Sequence, residues 1–195
     1  MADPYQAHIC ERLQTELPIP WCLMFGLVAP HFLNVFVWMA PASWRALTGK
    51  SAVNHFAAAS SVLKAIQVLV TLLWVWTSRT DGLCFDTAKL SLVNCVSGLV
   101  LLATGLSLSF GVLRAIGAEG VYYGSRIGPE RTRTDPTEPT EWPFNVIQHP
   151  QHVGPTLLVW VPVVVLQQQL PRDAWFVAAH WTTLYVLNWV IEDYF

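Results

Sequence analysis

Two histidines three residues apart, His149 and His152, stand at the head of a hydrophobic run, and an acidic pair, Glu192-Asp193, follows the last hydrophobic segment. Histidine titrates near neutrality, which suits it to proton transfer. An HxxH pair can also supply two ligands to a metal ion, but no third histidine or carboxylate stands nearby in sequence, so no metal is expected. By itself the acidic pair reads as solvated interfacial charge, because ionised groups are costly inside a bilayer and cheap at its surface. The histidines lie in EWPFNVIQHPQHVGPT, from Glu141 to Thr156, where Pro143, Pro150 and Gly154-Pro155 interrupt regular helix. A broken polar backbone at a bilayer boundary is tolerated only where protein or a water-filled cavity surrounds it. The stretch is therefore a candidate site.

The elements that must position it are membrane helices. Of 195 residues 53% are hydrophobic and only 12% charged, with ten Trp and a mean hydropathy of +0.41, too apolar for an ordinary soluble domain. A formal net charge of −2 gives no reason to expect a nucleic-acid partner. Cys10, Cys22, Cys84 and Cys95 form no CxxC pair, which speaks against zinc, a redox motif or a disulfide scaffold. No basic region followed by a cleavage site marks a removable signal peptide, so targeting falls to the first hydrophobic segment.

Met1 to Pro18 is polar, with an interfacial helix conceivable over Ile9 to Leu17. Trp21 to Ala40 has the length of a span but carries Pro30, His31 and Asn34 in its middle, which predicts a kinked or partly inserted helix. Pro41 to Asn54 reads as a loop. Phe56 to Trp76 is a second segment, with Trp74 and Trp76 where an aromatic belt would place them and Lys64 positioned to snorkel. Arg79 to Lys89 is a loop turning at Asp81-Gly82, and Leu90 to Ile116 is the longest run with almost no charge. Its small residues, Gly98, Ala103, Thr104, Gly105, Ser107, Ser109 and Gly111, suit close helix packing or a groove that exposes backbone to a polar ligand. Gly120, Gly124 and Gly128 would continue one stripe if the helix continued. Pro129 to Glu141 is a polar loop; Val153 to Leu166 and Ala174 to Ile191 are two shorter segments that form a tilted hairpin. His31, His55 and His180 read as interhelical hydrogen-bonding groups.

Chain order carries a constraint of its own. Two segments separate Glu141–Thr156 from Glu192-Asp193, so both clusters face the same side whether or not the first segment spans. With five crossings, that side also holds Arg45, Lys50, Arg114, Arg126, Arg131 and Arg133, against Arg12, Arg79, Lys89 and Arg172 opposite, which puts it in the cytosol.

Over most of its length the chain resembles the membrane-embedded phospholipid N-methyltransferases. Pro30-His31-Phe32-Leu33-Asn34-Val35 looks like that family's Asn-Pro-Leu-aromatic-Trp-Asn-Val stretch, and Gly117 to Gly128 like its glycine-rich third segment. Trp142-Pro143-Phe144-Asn145 followed by His149-Pro150-x-His152-x-Gly154 resembles its Phe-Pro-Phe-Asn and Asn-Pro-x-Tyr-Trp-Gly sequences, and Glu192-Asp193 falls where it has paired glutamates. Its Gly-x-Gly is Ala103-Thr104-Gly105 here. The resemblance implies S-adenosylmethionine as methyl donor, held by Ala103, Thr104, Gly105, Glu192 and Asp193. It also implies catalysis by Glu192, His149 and His152, and lipid contacts at Trp142 and Asn145.

The implied chemistry sets demands of its own. Methyl transfer from a sulfonium to an amine is an in-line displacement, so catalysis is chiefly alignment in a dry site. Carboxylates must offset buried positive charge, for which Glu192 and Asp193 are available, and Arg126 or His149 could meet the donor's own carboxylate. A protonated amine has no lone pair, so His149, His152 or an acidic residue must first take its proton. Trp142, Phe144, Tyr122, Tyr123 and Trp189 could offer ring faces to the methylated cation.

The expectation is an all-α polytopic integral membrane protein with four transmembrane helices and one kinked or partly inserted N-terminal helix, forming a single methyltransferase domain. It would methylate phosphatidylethanolamine derivatives, the mono- and dimethyl forms, towards phosphatidylcholine. Its substrate is a phospholipid within the bilayer, without an obligate protein partner, and the resemblance implies endoplasmic reticulum with a cytosolic site. The alternatives are an isoprenylcysteine carboxyl methyltransferase-like enzyme, whose His-Pro pattern His149-Pro150 also matches, and a non-catalytic helical scaffold.

Overall fold

A computed structural model describes residues 21–78, 87–129 and 139–195; the expected N-terminal helix, the turn at Asp81-Gly82 and most of the polar loop before Glu141 lie outside the described residues. All regular structure among the described residues is helical: α1 (Trp21–Met39), α2 (Pro41–Thr48), a 3-10 turn (Gly49–Ser51), α3 (Ala52–Ser78), a second 3-10 turn (Thr87–Lys89), α4 (Leu92–Val121), the one-turn α5 (Gly124–Ile127), α6 (Pro150–Val165) and α7 (Ala174–Tyr194). Three stretches are long and apolar enough to cross a membrane, Trp21–Met39, Pro41–Ser78 and Leu92–Ile127, with Pro150–Val165 apolar but shorter. This is the architecture of a polytopic membrane protein.

The helices are apolar on nearly every face, as segments surrounded by lipid must be. Leu69 and Leu72 on α3 and Leu99, Val100 and Phe110 on α4 point outward with more than half of their surface exposed. The buried set combines apolar side chains at the helix contacts with a few polar ones, His31, Ser60, Gln67, His152 and Asn188. α4 packs most extensively along α6, α6 against α7, α7 against α1, and α1 against α3. α1 has an apolar cluster at each end: Leu23 and Leu27 meet Trp74 of α3 and Ala174, Val177 and Leu184 of α7, while Val37 meets Ala52, Phe56 and Ile127. Between them the polar residues pair across helices: Asn188 Nδ2 lies 3.1 Å from His31 Nδ1, and the Ser60 hydroxyl donates to Asn34 Oδ1 at 3.3 Å. The Gln67 amide donates to the Leu27 carbonyl at 2.9 Å.

The first segment is one 19-residue helix that continues through Pro30 and is long and apolar enough to cross a membrane, with Pro30 and His31 buried. Other sequence expectations are corrected. Pro41 to Asn54 is not a loop: Pro41 occupies the first turn of α2, where its missing N–H costs nothing, and α3 begins at Ala52. α6 likewise starts at Pro150.

The glycine stripe from Gly120 to Gly128 does not form. Gly117 leaves the helical region at φ 67°, ψ 177°, and Tyr123 is left-handed at φ 56°, so the chain bends twice before α5. α5 then touches α2 and α3, carrying the end of α4 across the bundle. The glycines that pack helices include Gly98, Gly105 and Gly154, on α4 and α6, and Gly26 of α1 against Val70 of α3. A Cβ on Gly98 would overlap Val165, and one on Gly105 would lie 3.0 Å from the Gly154 carbonyl oxygen. Gly117 is needed for its backbone, not for space, since nothing stands within 4 Å of a Cβ there. Its conformation is open almost only to glycine. Gly117→Ala is expected to cost about 1–3 kcal/mol locally and to lower the thermal midpoint while the protein remains monodisperse in detergent; an unaltered midpoint would show that the bend is not needed.

Candidate active site

α6 begins and α7 ends at the same end of the bundle, because the two form an antiparallel hairpin. Pro150 starts α6 so that His149 caps it and His152 lies in its first turn, while Glu192 and Asp193 occupy the last turn of α7. The four side chains meet in two pairs. His152 Nε2 is 2.9 Å from Glu192 Oε2, each side chain only 8% exposed. His149 Nε2 is 2.8 Å from Asp193 Oδ1. That second approach is too oblique for a hydrogen bond, so it is a contact of charge when the ring is protonated.

Glu192 is held from a third direction. The bend after α4 delivers the Tyr123 hydroxyl, which donates to Glu192 Oε1 at 2.5 Å. Both oxygens of one nearly buried carboxylate are thereby fixed by side chains from two other elements, as a buried charge requires. Asp193 is steadied by the Trp189 indole N–H one helical turn earlier, at 2.8 Å, and Trp189 packs beside His149 with ring centres 5.2 Å apart. Tyr185 lies behind, its ring 4.6 Å edge-on from His31 and 6.4 Å from His152.

On the far side of Tyr123 is an aromatic and cationic group that sequence reasoning treated only in fragments. Tyr123 stacks on Phe56 at 5.2 Å and meets Trp38 edge-on at 5.2 Å, and the Arg126 guanidinium carbon sits 3.5 Å above the Trp38 ring. Sequence reasoning did not single out Trp38 or the Tyr123 hydroxyl, whereas His31 was read as an interhelical hydrogen-bonding group, which its contact with Asn188 bears out. The glycines at 117, 120 and 124 were the available signal that the chain around Tyr123 is not a plain helix.

The remaining sequence candidates are distributed differently. Gly105 is buried against Leu158 and Gly154, whereas Ala103 and Thr104 are exposed on the outer face of α4, since successive helical residues point about 100° apart. The three do not form one surface. Trp142 is half exposed, its indole lying against Gly111 with buried Pro143, and Asn145 is exposed. Neither is brought to the acidic pair by a described contact.

The donor set suits S-adenosylmethionine, whose sulfonium and ammonium need carboxylates and whose polar edges need donors and acceptors. Glu192 and Asp193 supply the former. Ser109 Oγ and Gln151 Oε1, both buried around the start of α6, have no hydrogen-bond partner in the protein. Such groups are costly unless a ligand or solvent meets them. When bound, the donor supplies an electrophilic methyl group.

Comparison with known proteins agrees with this chemistry. A family model described as phospholipid methyltransferase matches residues 93–195, which contain α4, the bend, and both His-bearing and acid-bearing helices. Phosphatidyl-N-methylethanolamine N-methyltransferase of Arabidopsis thaliana is 32% identical over 144 residues, covering 70% of this chain and 77% of the plant protein. No solved structure matches the chain significantly. With apolar spans, a buried carboxylate clamped by histidine and tyrosine, and this match across more than half of its length, the chain belongs to the phospholipid methyltransferase family and is an S-adenosylmethionine-dependent membrane enzyme acting on phospholipid head groups.

Proposed function

We propose that the protein methylates the monomethyl and dimethyl derivatives of phosphatidylethanolamine, towards phosphatidylcholine. The observation that carries the site assignment is the convergence of His149 and His152 with Glu192 and Asp193 at one end of the α6–α7 hairpin. The substrate assignment is supported by the plant relative, which is named for the monomethyl lipid. Family membership leaves no place for a non-catalytic scaffold.

Each transfer forms one N–C bond, breaks one S–C bond and releases one proton from the substrate ammonium. His152 is the group to take that proton: its Nε2 faces a carboxylate that stabilises the imidazolium formed. Glu192, with Tyr123 fixing its other oxygen, holds the histidine in place and offsets the positive charge that both reactants bring. His149, Asp193 and Trp189 form the flank suited to the charged end of the methyl donor. The small-residue seam at Gly105 and Gly154 supports this site by letting α6 lie close against α4. In a eukaryotic cell the enzyme would sit in the endoplasmic reticulum with this end cytosolic, in keeping with Arg45, Lys50, Arg114 and Arg126 on that side.

The test is purified full-length protein in lipid vesicles with radiolabelled S-adenosylmethionine and unmethylated, monomethylated or dimethylated ethanolamine lipid offered separately. Label is expected in the products of the monomethyl and dimethyl lipids. Label appearing only as a base-labile ester on a prenylated cysteine, with none in lipid, would overturn the proposal in favour of carboxyl methylation.

A further inference from the structure

We propose that Arg126, seated on Trp38, binds the phosphodiester of the lipid substrate while the amine lies at Glu192; this rests on the reading of the substrate as an aminophospholipid. An ethanolamine head group separates its nitrogen from its phosphate oxygen by two carbons. A phosphate receptor must therefore stand about one side chain away from the amine site. Tyr123 and Trp38 connect the two groups here: the Tyr123 hydroxyl bonds Glu192 while its ring meets Trp38, on whose face Arg126 lies.

The guanidinium is held for such a role. Its Nη1 donates to the Trp38 carbonyl at 3.0 Å and its plane rests on the indole, which fixes its direction without neutralising it. A guanidinium has five N–H donors in a rigid fork matched to two phosphate oxygens. Arg45 of α2 donates from Nη1 to the Arg126 backbone carbonyl at 2.9 Å, which ties α5 to α2.

Depth in the membrane points to a lipid phosphate as that anion. α1 leaves its apolar run at Met39, one residue after Trp38, and α2 follows with Trp44 half-buried and Leu47 exposed, then a 3-10 turn with Lys50 exposed. A tryptophan at the end of a span sits at head-group level, where phosphates are. The carboxylate of the methyl donor is the competing anion, and His149 and Asp193, which contact His152 and Trp189, are available to its charged end.

The experiment measures initial rates of the full-length wild type, Arg126→Gln and Arg126→Lys in vesicles doped with graded phosphatidyl-N-methylethanolamine. Arg126→Gln is expected to raise the lipid KM about tenfold or more, the loss of a charge-assisted bidentate contact, and Arg126→Lys to recover part of it. The KM for S-adenosylmethionine should stay within about twofold, since that contact is made to the lipid. A rise confined to the methyl donor's KM, or an unchanged lipid KM, overturns the proposal. A comparison within the wild type decides even if the variants misfold: a long-chain N-methylamine lacking phosphate should show a KM about tenfold above that of the phospholipid, and equal values overturn the proposal. Absence of transfer by the wild type to every aminophospholipid would instead sink the substrate reading on which it rests.

Discussion

Glu192→Ala is expected to reduce methyl transfer by about 10²–10⁴-fold, the range associated with losing a positioned acid–base group. The substitution removes the partner of both the Tyr123 hydroxyl and His152 Nε2, so the histidine loses its orientation and its imidazolium loses the adjacent negative charge. Glu192→Gln separates these effects. It preserves shape and one hydrogen-bonding oxygen but not charge, and its turnover should lie close to that of the alanine variant. Both proteins should elute from size exclusion as the wild type does, because Glu192 sits at the end of α7 and not in its apolar packing. Measured with saturating lipid and donor, wild-type turnover in either variant would remove Glu192 from the reaction.

The second large effect is structural. Gly154→Val should collapse the yield of folded protein, because a Cβ at that position would lie 2.7 Å from Ser109 Oγ, 3.1 Å from the Gly105 carbonyl oxygen and 3.1 Å from the Ser109 amide nitrogen. A hydroxyl can rotate away, but backbone cannot. α6 would have to move off α4 along the most extensive helix contact in the molecule, against an overpacking cost of about 1–3 kcal/mol or more. Gly154→Ala should be milder, with a lowered thermal midpoint and retained activity. If the valine variant were as monodisperse and as thermally stable in detergent as the wild type, the close approach of α4 and α6 would not be what Gly154 provides.

The contrast between Gly105 and Glu192 shows what was legible. The sequence reading weighed Gly105 as helix packing against ligand binding, and a glycine in an apolar run supports either. Its contact with Gly154, forty-nine residues later, is what gives it a packing role. For the acidic pair the situation was reversed: chain order already required it to face the same side as His149 and His152, and the structure adds which histidine meets which acid. The N-terminal segment shows the same limit. Pro30 and the polar His31 and Asn34 look disruptive in isolation, yet Asn188 and Ser60 on neighbouring helices give the two polar residues partners, and helix continues through Pro30.

By itself, the amino-acid sequence determined the membrane class, the approximate extent of the long segments, and the common side shared by the histidines and the acidic pair. These depend on hydrophobic length and on counting crossings, both of which are local or ordinal properties of the chain. Tertiary structure alone decided the order in which helices lie side by side, the clamp of Tyr123 and His152 on Glu192, and the seat of Arg126 on Trp38. Helices that are apolar on every face carry little periodic record of which side turns inward. The rotation of each about its axis is therefore fixed by where glycines admit a neighbour and where buried polar groups find a partner.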